Sequence, residues 1–404
     1  MKILQINVVC GVSSTGRITT DLYKALEEKG HQCLIAYGRG QAPKGINTYK
    51  IGNNIDNFFH VARTRLFDKH GFGSKKSTLD LVKKIESYNP DIIHLHNLHG
   101  YFLNLEILFA YLSKINKPIV WTLHDCWAFT GHCSHFDYIK CDKWKKECYN
   151  CPQKLTYPKS IFFDNSKSNY VFKKQLFNSM KNLHIITVSK WLNNVTQQSF
   201  LGKYPNITIS NGLDLDIFKV ENDFKLKEKY GIEDKFVILG VSHYWNKKKG
   251  FDDFIQLSKK ISSDSVIILV GVNKKQMKNL PNNVIGIEKT DSIETLIHFY
   301  SNSDLLLNLS YEETFGMVSL EAMSCGLPVV TYNTTANPEL IGNKCGYIVE
   351  AANIDEIIKT IEEVKKIGKN HFSNHCIEHV KMNYKKSDTF EKIINLYEEI
   401  LSNS

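Results

Sequence analysis

Tyr311-Glu-Glu-Thr-Phe-Gly-Met-Val-Ser-Leu-Glu-Ala-Met-Ser-Cys-Gly-Leu-Pro-Val-Val330 carries more structural information than any other stretch of these 404 residues. It follows the apolar run Asp304-Leu-Leu-Leu-Asn-Leu309, which reads as a buried strand of a parallel sheet. Phe315 to Cys325 reads as a helix, stopped by Gly326 with Pro328 just beyond, and Val329-Val330 opens the next strand. Strand, polar loop, helix and strand in this order form the repeating unit of an open α/β sheet, which binds ligands outside the carboxyl ends of its strands. Glu313 falls in that loop. The backbone N–H groups of Phe315, Gly316, Met317 and Val318 gather at the helix N-terminus, where an anion such as diphosphate is stabilised. Glu321 lies two turns along, roughly 12 Å away at about 1.5 Å per residue. A carboxylate at each end of a phosphate cradle suits a ligand with hydroxyls on both sides of its phosphates, and a sugar nucleotide is such a ligand. The competing reading of the segment alone is an amphipathic helix with solvated glutamates.

Length and composition bound the rest. A chain of 404 residues accommodates two or three domains, and 42% hydrophobic with 23% charged residues fits a soluble protein with sizeable cores. Met1-Lys-Ile-Leu-Gln-Ile-Asn-Val-Val-Cys10 is interrupted too soon for a signal peptide and reads as a first strand. No run approaches the ~18 apolar residues of a membrane span, so a cytoplasmic protein is expected. The net charge of +9 favours anionic partners: sugar nucleotides, a lipid diphosphate or an anionic bilayer. Nucleic acid is not expected, because the lysines are scattered and no basic-aromatic RNA motif appears. Ten cysteines in such a chain point to metal binding or core packing before disulfides.

Strand-like and helix-like stretches alternate from end to end, the pattern of parallel α/β sheets. In the first half, strands are expected at Ile3–Val9, Cys33–Tyr37, Ile92–Leu95, Ile119–Leu123 and Ile185–Val188. Helices are expected there from about Arg17 to Lys29, Leu79 to Tyr88 and Leu103 to Ile115. A second alternation places strands at Phe236–Val241, Val266–Val270, Val284–Ile287, Leu305–Leu309 and Val329–Thr331. Between the halves, Ile207 to Phe218 contains an Asn-Gly turn signal and reads as the interdomain connection.

The register Glu313-x7-Glu321, inside E-x-F-G-x4-E-A-M-x-x-G-x-P-V, resembles the donor-site signature of family 4 glycosyltransferases. The resemblance covers nearly the whole chain. It implies the GT-B fold, an α/β architecture of two doubly wound Rossmann-like domains facing across a cleft. On that plan residues 1–203 form an acceptor-side domain and 204–385 a donor domain, and the helix in 386–404 returns to the first domain. Asn211-Gly-Leu-Asp-Leu-Asp-Ile-Phe218 is similar to the stretch that opens the donor domain in this family.

Three further loops carry chemistry. Val8 to Ile18 joins the first strand to the first helix, and Gly16 permits close backbone approach while Arg17 adds a guanidinium. The loop lacks a G-x-G-x-x-G fingerprint, so a nicotinamide is not indicated. The resemblance sets Gly16 against the donor diphosphate. Trp121-Thr-Leu-His-Asp125 presents His124 at a strand's carboxyl edge; such a histidine is either a packing residue or, as the resemblance implies, one that touches the transferred sugar. Val241 to Gly250 keeps the family's Lys-Gly as Lys249-Gly250, but His243 stands where relatives carry a phosphate-clamping arginine. A neutral imidazole is a weaker phosphate partner than a guanidinium. Either His243 is protonated beside the diphosphate or Lys248 supplies the second charge. Asp214-Leu-Asp216 matches a D-x-D metal motif formally, but beside Asn211-Gly212 it reads as turn and cap chemistry, and no catalytic metal or other cofactor is expected.

Cys133-x7-Cys141-x6-Cys148-x2-Cys151 places four thiols within 19 residues of polar loop, near Cys126, His132 and His135. The pattern reads as a structural all-cysteine zinc site, as free thiols in a packed loop, or as disulfides under oxidation. The run from Trp121 through Cys151-Pro152 resembles the family branch acting in colanic acid, capsule and exopolysaccharide synthesis. Ile55 to His70 interleaves aromatic and basic residues at helical spacing, and either rests on a membrane surface or packs on its own domain.

The expectation is therefore a retaining hexosyltransferase that moves a sugar from UDP- or GDP-hexose to a glycan or lipid-linked glycan. Lys249 and the helix at Phe315 would stabilise diphosphate charge, Glu313 orient the sugar, Glu321 hold the ribose and His124 line the reacting centre. Two rivals stand beside it: a sugar-nucleotide epimerase of the same fold, for which no acid–base carboxylate pair stands out, and a non-catalytic scaffold, favoured by His243.

Overall fold

The computed structural model describes residues 1–221, 225–290 and 292–403, the side chains of 225 and 226 excepted. The chain forms two compact units, residues 1–209 with 390–404, and residues 210–389. These divisions fall a few residues beyond the expected 203/204 and 385/386.

The first unit holds a seven-stranded sheet of order β3-β2-β1-β4-β5-β6-β7, parallel throughout. Its strands are β1 (Lys2–Val9), β2 (Gln32–Arg39), β3 (Thr48–Lys50), β4 (Ile92–Leu95), β5 (Ile119–Leu123), β6 (Leu183–Thr187) and β7 (Asn206–Thr208). β4 and β5 are buried along their whole length, as continuous apolar runs demand. The sequence reading missed β3 and β7, and it assigned Ile207 to a connection. Both are three-residue edge strands with no buried residue, so no apolar run marks them. The C-terminal segment completes this unit's core: Phe390, Ile393, Ile394, Tyr397 and Ile400 pack with Ile3, Leu22, Tyr23, Ile92 and Val120.

The second unit holds a six-stranded parallel sheet of order β10-β9-β8-β11-β12-β13. Its strands are β8 (Phe236–Val241), β9 (Ser265–Val270), β10 (Val284–Ile287), β11 (Leu305–Asn308), β12 (Val329–Tyr332) and β13 (Gly346–Val349). In both sheets the strand order reverses once, between β1 and β4 and between β8 and β11. Crevices at such reversals, outside the carboxyl ends, are where open α/β sheets take ligands. Among the described residues no helix is long and apolar enough to cross a membrane.

Candidate active site

In the second unit the reversal lies between β8 and β11, and both loops leaving it are charged. The β8 loop is anchored by Trp245, whose indole N–H donates to the Val270 carbonyl at 2.9 Å. Asn246 then caps a single 3₁₀ turn, Lys247–Lys249, by accepting from the Lys249 amide at 3.0 Å. That turn aims two consecutive lysines at two consecutive glutamates. Lys249 Nζ meets Glu313 Oε1 at 2.5 Å, and Lys248 Nζ meets Glu312 Oε2 at 2.8 Å. The Tyr311 amide donates to the Lys248 carbonyl at 2.8 Å, tying the two loops together by backbone.

The two pairs differ in burial. The Glu312 side chain is 3% exposed and pairs its buried carboxylate with Lys248; Lys249 and Glu313 are 27% and 22% exposed. Lys248 thus faces a buried carboxylate, whereas Lys249 and its partner Glu313 are both partly exposed. Glu313 is fixed from behind: its amide donates to Thr335 Oγ1 at 2.9 Å and its carbonyl accepts from Ala336. Asp253, its carboxyl pushed up by burial, accepts from both Tyr311 and Tyr332 hydroxyls at 2.9 Å and braces the same loop.

The helix after Glu313 runs Met317–Ser324, capped by Gly316 at φ 101°, a left-handed conformation that favours glycine. Phe315 is buried, while Met317 and Val318 in the first turn are half-buried. Glu321 accepts from the Tyr300 hydroxyl at 2.8 Å. His243 is exposed in the β8 loop, with its ring 6.4 Å from that of Tyr244. Asp214 behaves as turn chemistry: its carboxylate accepts from the Asp216 amide at 3.1 Å and pairs with Lys386 at 2.5 Å.

His124, Gly16 and Arg17 belong to the first unit. The first helix spans Ser13–Glu28, four residues earlier than expected, because Gly11 (φ 74°) and Ser13 (φ 61°) turn the chain at once. Gly16 therefore lies in the first helical turn, not in a loop. It is buried, its carbonyl accepts from the Gly11 amide at 2.9 Å, and a Cβ there would meet Val9 at 3.0 Å. Arg17 is exposed on this helix.

His124 follows β5 and His96 follows β4, so the two imidazoles share the carboxyl edge of the sheet, His96 Nδ1 lying 3.2 Å from His124 Nε2. Gln5 gives its amide N–H to the Thr19 carbonyl, which leaves Oε1 to accept from His96 Nε2 at 3.2 Å. His96 Nδ1 must then accept from His124 Nε2–H, and the relay consists of neutral rings. Burial agrees, holding His124 down at about 4 and His96 well below the usual histidine range. Beside them His99 bonds Asp125 at 2.7 Å and Tyr157 at 2.8 Å. Burial opposes ionisation of Asp125, but the neighbouring His99 outweighs it and the carboxyl sits at about 2. Sequence reasoning missed His96, His99, Gln5, Glu312 and Asp253. The doublets Lys248-Lys249 and Glu312-Glu313 carried a signal; Gln5 sits in mid-strand and carried none.

Against known proteins, the Glycosyltransferase Family 4 model matches residues 15–217 and the glycosyl transferases group 1 model residues 222–381. The chain belongs to glycosyltransferase family 4, with the GT-B fold. WcaC of Escherichia coli (strain K12), a glycosyl transferase assigned to colanic acid biosynthesis, is 24% identical over 99% of this chain and 100% of its own. The N-acetyl-alpha-D-glucosaminyl L-malate synthase of Bacillus anthracis is 25% identical over 98% of this chain and 96% of its own. Among solved structures, Anabaena Alr3699/HepE in complex with UDP and glucose superposes with a TM-score of 0.70 at 17% identity, covering 99% of this chain and 100% of that one.

Proposed function

We propose that this glycosyltransferase moves a hexose from a nucleoside diphosphate sugar to a glycan acceptor in surface polysaccharide synthesis, with retention of configuration and without a catalytic metal. The observation that carries the reading is the Lys249–Glu313 pair at the β8/β11 reversal, where two partly exposed side chains meet with Nζ 2.5 Å from Oε1. A donor entering here exchanges that pair for two better-matched contacts, diphosphate to Lys249 and sugar hydroxyls to Glu313. The Gly316 helix start adds backbone N–H groups toward the leaving phosphate, and charge stabilisation of this kind is the largest single contribution in many transferases. Glu321, already accepting one hydroxyl from Tyr300, suits a ribose hydroxyl. The neutral His124 suits a sugar hydroxyl. The similarity to WcaC supports a polysaccharide role, and the UDP and glucose held by Alr3699/HepE support this donor class.

A lipid-linked acceptor, reached by peripheral contact with a membrane, is favoured by the helix Asn54–Phe67. Its buried residues are polar, Asn57, His60 and Thr64, while Ile55, Phe58 and Phe59 are each about two-thirds exposed (67%, 68% and 66%). Phe67 stacks on Phe163 at 5.8 Å, which continues the apolar surface into the exposed loop residues Phe162 and Leu155.

Calorimetric titration of the purified chain against UDP- and GDP-hexoses tests the donor assignment. At least one sugar nucleotide should bind, and its free hexose should not. A chain that binds none of them is not a sugar-nucleotide transferase.

A further inference from the structure

Residues 124–165, between β5 and the helix Ser166–Asn178, contain only two single-turn 3₁₀ helices, Trp127–Phe129 and Lys143–Lys145. Loops this long without regular structure need some other means of holding shape. Stacked aromatics contribute: the Phe136 and Trp144 rings lie 4.6 Å apart and Phe129 is 5.4 Å from Trp144. They flank a small cavity whose lining includes Cys133, Cys141, Cys148, Cys151 and His132.

The cavity's polar groups are unusual. The Cys133 and Cys151 thiols are in hydrogen-bond contact, and Cys148 accepts from the Gly131 amide at 3.2 Å with Cys141 as its neighbour. His132 is fully buried. Its Nδ1 donates to the equally buried Asp68 at 2.5 Å, yet its Nε2 makes no hydrogen bond to any described residue. A buried ring nitrogen with no partner costs about 1–3 kcal/mol, which native folds rarely tolerate without a reason. Lys173 is also buried, held by the Trp127 and Thr130 carbonyls at 2.7 and 3.0 Å and close enough to Cys148 and Cys133 to feel their charge. A single disulfide would account for two of these sulfurs and leave the other two as thiols, with the His132 Nε2 still without a partner among the described residues.

We propose that the cavity is a structural zinc site, ligated by the thiolates of Cys133, Cys141, Cys148 and Cys151, with the buried Lys173 beside it. Four thiolates on one divalent cation leave a net charge of −2, which buries at tolerable cost only beside cations. The buried Lys173, beside Cys148 and Cys133, supplies one. His132, clamped by Asp68, brings to the same cavity a buried ring nitrogen with no described partner. Among the described residues no group of three or more ligating side chains is yet placed to hold a metal. The thiols form a contacting pair with two neighbours rather than a closed tetrahedron. Closure needs Cys141 and Cys148 to turn inward until each sulfur reaches about 2.3 Å from the metal, with release of the thiol protons. Four sulfur ligands leave no position for water, so the centre holds the loop's shape and takes no part in transfer.

The test uses the full chain, expressed with zinc and purified without chelator. Elemental analysis should find about one zinc per chain in the native protein and in Cys325→Ser, whose thiol lies in the other unit. Cys148→Ser and Cys151→Ser should hold at least tenfold less. Should those variants fail to fold, cobalt(II) substitution of the native chain decides: sulfur-to-metal charge transfer with tetrahedral d–d bands is expected. Mercurial titration should release the zinc and open residues 124–165 to protease. A zinc-free native chain with four titratable thiols here, or a Cys133–Cys151 disulfide that persists under reducing purification, overturns the proposal.

Discussion

Lys249 and Lys248 are adjacent in sequence and unequal in use. Lys248 neutralises a carboxylate that is 97% shielded, given the 3% exposure of Glu312, whereas Lys249 faces a partner that is partly exposed. Lys249→Ala should therefore lower kcat/KM by about 10²- to 10³-fold with little change in melting temperature, the cost of one lost electrostatic contact in a transition state. Lys248→Ala should instead destabilise the second unit by about 3–5 kcal/mol, because it removes the cation paired with a buried carboxylate. Steady-state kinetics and thermal melts of the two variants separate these roles; equal kinetic losses with no difference in stability would refute the division. The histidines behave differently. His94, pushed down by burial to about 3, lies with its ring tilted 4.0 Å from that of His96, and His124, at about 4, stacks on His96 to continue the column. Between those values and about 6.5 the unfolded chain holds protons that the folded chain refuses. Stability must then rise with pH across that window and fall on acidification from about 6.5 to 4, by up to about 1.4 kcal/mol per pH unit for each ring. Melting curves from pH 7.5 to 4.5 should show the slope, and His94→Asn should reduce it by about one proton's worth. A melting temperature independent of pH over this range would exclude the column as its source.

At the scale of elements, the β8 loop joins its helix, Phe251–Ser258, through Gly250. There φ is 72°, and a Cβ would stand 2.4 Å from the Leu309 carbonyl oxygen at the end of β11. Gly250→Ala therefore has to push β8's loop away from β11's, besides paying about 1–2 kcal/mol for a left-handed L-residue. The expected result is a loss of donor affinity together with a fall in melting temperature. Gly231→Ala is the control: φ is 62° but nothing lies within 4 Å, so only the conformational cost applies. If titration and melting show both alanine variants equally impaired, the Leu309 contact is unimportant. Elements also explain what was legible. β8 stands where the apolar run Phe236–Val241 begins and ends, since buried parallel strands leave an uninterrupted apolar record. β3 and β7 left none, being three-residue strands with no buried residue at sheet edges.

At the scale of the whole molecule, an excess of positive charge, +9, accompanies an apolar surface on the helix Asn54–Phe67 that no described part of the first unit covers. Arg65, Lys69 and Lys159 are exposed near it. Aromatics with basic neighbours favour the interface of an anionic bilayer, where each Lys or Arg contributes about 1 kcal/mol. Sedimentation with phosphatidylglycerol-containing vesicles at low salt should carry the chain down, and the double substitution Phe58→Ser with Phe59→Ser should cut the bound fraction severalfold. Wild-type chain remaining in the supernatant would remove the membrane from the functional reading.

The sequence by itself determined the two parallel α/β sheets, the helix after Glu313 and the family, because each is written locally. Burial period, glycine stops and the spacing of two glutamates need only neighbouring residues to be read. Which side chains meet was decided by the tertiary structure. Lys249 reaches Glu313 over 64 residues, His94 reaches the Tyr397 hydroxyl over 303, and Asp68 reaches His132 over 64. The physical reason is strand order: β8 neighbours β11, and β1 neighbours β4, only because each sheet reverses direction once, and local periodicity does not encode where a crossover lands. Gln5, whose role comes wholly from those adjacencies, is therefore invisible until the sheet is assembled.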